Sequence, residues 1–327
     1  MLPFEKVQRE VLIKKKADTS DKFGKNSDER TVQELLDYAI INLDKPKGPT
    51  SHQVSAYVQK IFNIKKSGHS GTLDPKVTGV LPTAIGRATR VVQHLLTSGK
   101  EYIVLMHLHK EIEENKIREI MNEFVGKIRQ LPPIKSAVKR QWRSREIYYI
   151  DILEISEQDV LFRVGCQAGT YIRKLCSDIG DKLEIGAHMA ELRRTQTGPF
   201  KEETLVTLHD CTDALHLWKE EGNEEYIRKV LLPIEKAVDH LPKIWVLDTT
   251  VDSLCNGANL HVPGIARLNS NIEINENVAV MTLKNELIGI GEAKMNSDQI
   301  SNEEKGLALD IKKIFMLKGT YPKIEKC

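Results

Sequence analysis

Two alternating apolar segments, residues 147–155 and 160–166, are separated only by the polar turn 156–159. A parallel crossover needs a dozen or more residues, so this turn commits the two segments to an antiparallel pair. The neighbouring segments are equally restrictive. Strand-like runs at 38–43 and 102–108 and helical patterns at 50–62 and 117–125 follow in irregular order. A doubly wound parallel sheet requires regular alternation of strand and helix, so the expected class is α+β. It consists of a mixed, mainly antiparallel sheet with helices packed on its faces.

Individual elements sharpen this expectation. Thr50-Ser51-His52-Gln53 has capping-box spacing, and Val54, Tyr57, Val58, Ile61 and Phe62 recur at helical spacing, predicting one buried stripe. Tyr102, Val104, Met106 and Leu108 alternate along a strand, and Ile117, Ile120, Met121, Phe124 and Val125 mark an amphipathic helix. Gly169-Thr170 opens a further helix with Ile172, Leu175, Ile179 and Leu183 facing inward. Two polar, helix-prone stretches, 208–220 and 224–230, lead to Leu241-Pro242, where a boundary is expected. Beyond Trp245 a short helical segment ends at Gly257. Short strands at 278–283 and 287–295 then predict a small, barrel-like β domain.

The first thirty residues, with Lys14-Lys15-Lys16 and a polar run at 18–30, show no periodicity and read as an extended arm or a disordered leader. The expected organisation is an arm over 1–30, a main domain over 31–242 and a small domain over 243–327. A chain of 327 residues is long enough for two cores. Lys and Arg number 48 against 46 Asp and Glu, so any basic surface must be local. No apolar run approaches the roughly 20 residues of a membrane span, and the start lacks a secretion signal, so a soluble cytoplasmic protein is expected. The five cysteines form no Cys-x-x-Cys pair, which points to buried thiols rather than a zinc site or disulfides.

The most informative loop is Gly68-His69-Ser70-Gly71-Thr72-Leu73-Asp74-Pro75-Lys76-Val77-Thr78-Gly79. Its glycines let the backbone approach a ligand, and Pro75 restricts Asp74 to extended conformations. On residue chemistry alone, a turn-capping Asp74 is the plainer reading. The spacing of a phosphate-binding loop is absent, and no histidine pair has metal-site spacing. Lys135, Lys139, Arg140, Arg143 and Arg145 form an acid-free run around Trp142. Such interleaving suits RNA, although on these residues alone a solvated basic face is the plainer reading.

Gly71-Thr72-Leu73-Asp74-Pro75 resembles the catalytic motif of the TruB pseudouridine synthase family, which includes the bacterial T-loop tRNA enzyme and dyskerin. Three further matches follow the family's order. Asp44-Lys45-Pro46-Lys47-Gly48-Pro49-Thr50-Ser51 resembles its first motif, Lys100-Glu101-Tyr102 its active-site tyrosine segment, and Gly169-Thr170-Tyr171-Ile172-Arg173 its arginine motif. Asn256-Gly257-Ala258-Asn259-Leu260 and Gly289-Ile290-Gly291-Glu292-Ala293 resemble the RNA-binding PUA fold. The stretches Leu131-Pro132-Pro133-Ile134-Lys135-Ser136-Ala137-Val138-Lys139-Arg140 and Glu191-Leu192-Arg193-Arg194-Thr195-Gln196-Thr197-Gly198-Pro199-Phe200 are most similar to the dyskerin-like catalytic subunits of H/ACA ribonucleoproteins, in an archaeal form.

The resemblance implies an isomerase that turns uridine into pseudouridine in rRNA, and in tRNA, without a cofactor or metal. Asp74 would be the catalytic carboxylate, Arg173 its partner and Tyr102 the residue stacked on the base. Tyr171, Leu192 and His69 would line the pocket. Lys45, the 135–145 cations, Gly257 and Gly289 would lie on RNA-binding segments. The implied partners are an H/ACA guide RNA, the substrate RNA and small H/ACA proteins. Bacterial members carry an RNA-gripping insertion after the tyrosine strand, whereas here Leu108 leads almost directly into the helix near Glu113. A stand-alone tRNA enzyme and a non-catalytic RNA scaffold are the alternatives.

Overall fold

The computed structural model describes residues 1–132 and 139–323. Lys135 and Cys327, both named above, lie outside the described residues. Contacts divide the chain into two compact units. One comprises Met1–Lys6, Ile41–Thr83 and Val92–Val230, and the other Val7–Ile40, Ala84–Val91 and Leu231–Cys327.

In chain order the elements begin with strand β1 (Val11–Ile13), helix α1 (Val32–Asp37), β2 (Ala39–Lys45), α2 (Ser51–Phe62), β3 (Ser67–His69) and β4 (Thr78–Ile85). There follow α3 (Val92–Thr97), β5 (Lys100–Leu108), α4 (Glu114–Asn122), β6 (Gly126–Gln130), β7 (Arg143–Ser156) and β8 (Asp159–Cys166). Then come α5 (Ile172–Lys182), β9 (Ala187–Thr197), β10 (Phe200–Lys201), α6 (Leu208–Glu221) and α7 (Glu225–Val230).

In the first unit the main strands lie in the order β2-β4-β9-β5-β8-β7-β6. The turn at 156–159 produces the expected antiparallel pair, with Ser156 opposite Asp159. β9 joins β4 in parallel and β5 antiparallel, which makes the sheet mixed. Val104, Met106 and Leu108 of β5 are fully buried in one cluster with Ile117 and Met121 of α4 and Leu175 and Ile179 of α5. The inward stripes of the two helices therefore cover a single face of the sheet.

Helix α2 starts as expected, with the Thr50 hydroxyl accepting from the Gln53 amide and the Gln53 side chain accepting from the Thr50 amide at 2.8 Å. Its stripe is narrower than the periodicity predicts. Val54, Val58 and Phe62 are buried, but Tyr57 is exposed, and Ser55 takes the inward position instead. The Ser55 hydroxyl is satisfied there by Ser67 at 2.6 Å.

The second unit contains β11 (Leu232–Pro233), β12 (Lys243–Val246), α8 (Asp248–Cys255), β13 (Leu260–His261), β14 (Ile265–Asn269), β15 (Asn277–Met281), β16 (Leu287–Ala293), α9 (Ser297–Asn302) and β17 (Leu307–Ile314). Its sheet runs β1-β14-β12-β15-β16-β17-β13 around a core that includes Val246, Leu254, Val280 and Leu309. The arm is part of this sheet. β1 pairs antiparallel with β14, and the Asp248 carboxylate accepts from the Thr19 hydroxyl and the Ser20 amide. An ordered helix precedes Tyr38, because Thr31 and Glu34 form a reciprocal cap at the start of α1. Among the described residues no helix is long and apolar enough to cross a membrane.

Candidate active site

The loop between β3 and β4 is held almost entirely by its backbone. The Leu73 amide donates to the Ser51 hydroxyl at 2.8 Å, and the Gly48 amide donates to the Pro75 carbonyl at 2.9 Å. Leu73 and Val77 are buried, whereas the Asp74 side chain remains 55% exposed. At Gly79 (φ +103°) a Cβ would fall 2.2 Å from the Arg194 carbonyl oxygen, so β4 can meet β9 there only with glycine. A packed loop with an outward carboxylate is the result.

Lys45 holds this loop from inside. It is fully buried, and its ammonium donates to the carbonyls of Pro46, Pro75 and Val77 at 2.8, 3.2 and 2.9 Å. This corrects the expectation that Lys45 contacts RNA, because all three donors of the ammonium are engaged by the loop backbone. Burial lowers its pKa, while the charge of Asp74 opposes that shift.

Arg173 lies in the first turn of α5, for which Tyr171 is the N-cap residue, and its guanidinium pairs with the Asp74 carboxylate. Both side chains are more than half exposed, so water screens the pair and it serves orientation rather than stability. Gln130 fixes the approach to α5 by accepting from the Tyr171 amide at 3.0 Å and donating to its carbonyl at 3.1 Å.

Tyr102 and Leu192 project from β5 and β9. In register, Tyr102 faces Arg194 and Val104 faces Leu192, so all four side chains share one face of the sheet. Burial raises the Tyr102 pKa, against which the Arg194 charge pulls it down. Arg194 is 1% exposed and donates to the Val80 carbonyl at 2.7 Å and the Gly71 carbonyl at 3.2 Å. Sequence reasoning named this arginine only as part of a motif. The signal available was its alternation with Arg193, which points the other way and pairs with Asp44 and Glu202.

His69 lies edge-on to His52, with ring centroids 5.0 Å apart, and its buried Nδ1 has no partner among the described residues. Burial, with His52 and Arg194 as nearby charges, takes its pKa down to about 4. It is neutral at pH 7. Lys139, Arg140 and Trp142 are exposed, and the Arg129 guanidinium lies 5.5 Å from the Trp142 ring centroid. Arg143 and Arg145 are half-buried in β7, and Arg145 lies against Gly169 at the head of the arginine motif. In the second unit, Gly257 (φ +95°) is exposed just past α8. Gly289 is buried in β16, where a Cβ would lie 2.5 Å from the Lys313 carbonyl oxygen. Its contribution is therefore close strand approach and not RNA contact, a second correction.

The arrangement offers an exposed carboxylate paired with a guanidinium from another element, and beside β9 an aromatic hydroxyl and an apolar wall on one face. Family models match four parts of the chain. These are the N-terminal domain of TruB family pseudouridylate synthases over residues 59–172, the tRNA pseudouridylate synthase B C-terminal domain over 173–239, a PUA domain over 242–315 and a DKCLD domain over 2–55. The chain is 57% identical over 320 residues to a probable tRNA pseudouridine synthase B of Pyrococcus abyssi, covering 97% of this chain and 96% of the relative. It is 55% identical over 323 residues to the Nanoarchaeum equitans protein of that name, covering 99% and 92%. It also resembles, with 54% identity and a TM-score of 0.94 over 99% of both chains, a chain in a crystal structure of a Cbf5-Nop10-Gar1 complex. A structure of an H/ACA RNP bound to a substrate RNA containing 2'-deoxyuridine matches with 51% identity and a TM-score of 0.92, again over 99% of both chains.

Proposed function

Because the chain belongs to the TruB family of pseudouridine synthases, and so is an RNA-modifying isomerase, we propose that it converts guide-selected uridines with Asp74 as the catalytic carboxylate. The observation that carries this reading is the outward Asp74 on a loop whose backbone is anchored by Ser51 and Lys45, with Arg173 of another element paired to its carboxylate. A fork that fixes the carboxylate's direction presents it to one face of a ribose.

The reaction breaks the bond between uracil N1 and ribose C1', turns the base and rejoins it through C5. Asp74 begins it by attacking C1' or by removing a ribose proton, and uracil departs as a delocalised anion that stays in the pocket. Ordinary glycoside hydrolysis uses two carboxylates. Here no water adds and nothing leaves, so the same carboxylate can later collect the C5 proton. Tyr102 supplies a ring for a base drawn out of its helix, and Leu192 and Tyr171 wall the pocket.

The likeness to chains solved with Nop10, Gar1 and substrate RNA, at full length and over half identity, supports the same kinds of partners for this chain: an H/ACA guide RNA and small H/ACA proteins. Residues 31–242 would form the catalytic domain and 243–327 the RNA-binding PUA domain, with residues 7–30 of the 1–30 arm grouped with the latter. Exposed Lys139, Arg140 and Trp142 are suited to RNA backbone and bases. A cytoplasmic location is part of the same proposal. The names of the relatives favour a second reading, direct modification of tRNA.

The two readings separate when purified protein is given a matched rRNA fragment or a tRNA transcript, each with and without guide RNA and partner proteins. Product at the matched uridine only when guide is present supports the first. Equal conversion of tRNA by the protein alone supports the second.

A further inference from the structure

Arg194 is a buried cation that donates to two backbone carbonyls and lies beside Tyr102, its register partner on β5. Among the described residues it forms no ion pair, although burying a charge without a carboxylate is costly. Such a cost is retained where the charge has a task. Its place in the sheet identifies that task. β9 lies between β4 and β5, so Arg194 is opposite Gly79 on one side and Tyr102 on the other. One of its two carbonyl partners, Gly71, precedes Asp74, and the other, Val80, follows it. A single side chain thus joins both ends of the Asp74 loop to the strand that carries Tyr102.

A guanidinium donates hydrogen bonds and accepts none. Beside Arg194 the Tyr102 oxygen can therefore only accept from it, which leaves the tyrosine's own proton to point elsewhere. We propose that Arg194 is a positioning residue of the isomerisation, which ties the Asp74 loop to β5 and directs the Tyr102 O–H toward the bound base. The inference rests on the proposed placement of uridine beside Asp74 and Tyr102. Uracil becomes an anion once the bond to ribose breaks, and a donor fixed in advance stabilises that charge without reorganising. The neighbouring buried charge of Arg194 acts in the same direction.

The test is a double-mutant cycle on Arg194→Lys and Tyr102→Phe, measured as single-turnover rates in the assembled complex and on free tRNA. A lysine in place of Arg194 keeps the charge but loses the planar fork that reaches both partners. Arg194→Lys should slow the chemical step by about tenfold or more while leaving RNA affinity within about threefold, and the double variant should be no slower than the slower single variant. If Arg194→Lys fails to melt cooperatively, Arg194→Gln replaces it, because a neutral amide keeps donors without the desolvation cost. Losses that multiply in the double variant, a loss confined to RNA affinity, or a wild-type rate for the Arg194 variant would each overturn the proposal. A wild-type protein active only on tRNA would instead remove the guide-dependent reading and leave this cycle intact.

Discussion

Two arginine–carboxylate pairs in this chain have the same chemistry and opposite surroundings. Arg30 and Glu235 in the second unit are about nine-tenths buried and bond through both fork nitrogens at 2.8 Å, and Glu235 also accepts the Leu287 amide at 2.9 Å. Asp74 and Arg173 in the first unit are more than half exposed, and they meet through a single guanidinium nitrogen and one carboxylate oxygen. In the buried pair both carboxylate oxygens are engaged and little surface is left for a substrate. The exposed pair costs little desolvation and leaves a carboxylate oxygen open to an incoming ribose. If Asp74 is the catalytic carboxylate we propose, surroundings rather than residue type separate a structural ion pair from a reactive one.

The sharpest way to break this comparison is to remove one partner of the buried pair. Arg30→Met would leave Glu235 with a single amide for compensation and should cost about 3–5 kcal/mol, read as a lower melting temperature. The rate per folded molecule should stay at the wild-type value. A loss below about 1 kcal/mol would put this pair in the class of surface contacts.

Arg173→Lys addresses the other side. It should slow pseudouridine formation by about 10- to 100-fold, because an ammonium keeps the charge but cannot fix the carboxylate's plane. Stability should move by no more than about 0.5 kcal/mol, as expected for an exposed site. A wild-type rate would mean that charge alone suffices.

A smaller effect extends the comparison to a buried cation held by carbonyls. Lys100 donates to the carbonyls of Leu95, Leu96 and Ser98 at 2.9, 2.8 and 2.7 Å, and burial takes its pKa down to about 7 from 10.5. Below pH 7 the lysine is charged whether folded or unfolded. Above that the folded chain loses the proton while the unfolded chain keeps it up to 10.5, so stability should rise with pH across this window. The slope is at most about 1.4 kcal/mol per pH unit, and Lys100→Met should flatten it in denaturant melts between pH 7 and 9. Identical slopes in both proteins would show that another group is responsible.

Segments with strong periodicity were legible in the sequence. The 156–159 turn, the α2 cap and the inward faces of α4 and α5 are local patterns, and each has its counterpart in the structure. β4 and β9 were not legible. Thr78–Ile85 is buried almost throughout and so shows no alternation, while Arg193, Arg194, Thr195 and Gln196 make β9 appear too polar for a central strand. The same difficulty hid α1, whose cap at Thr31 lies in a polar run, and β1, a three-residue strand that exists only through its pairing with β14.

The candidate site followed this division. Asp74 and Arg173 were singled out because their motifs resemble a family's, and Lys45 was misplaced because a lysine between Asp44 and Pro46, in a run of charges and breakers, reads as exposed. Whether its ammonium faces water or three carbonyls depends on how the Asp74 loop closes over it, a long-range contact that no local pattern encodes.

The central claim is that Asp74 is reactive because it is held outward and fixed from outside its own loop. Single-turnover conversion of a matched uridine by Asp74→Asn, in the complex with guide RNA and partner proteins, tests it most directly. The amide keeps the shape at an exposed position, so melting temperature and RNA affinity should match wild type. Pseudouridine, detected as reverse-transcription stops after carbodiimide treatment, should fall by roughly 1,000-fold or more, because removing a nucleophile or base leaves little residual chemistry. Substantial turnover by a folded, RNA-bound Asp74→Asn protein would contradict the account.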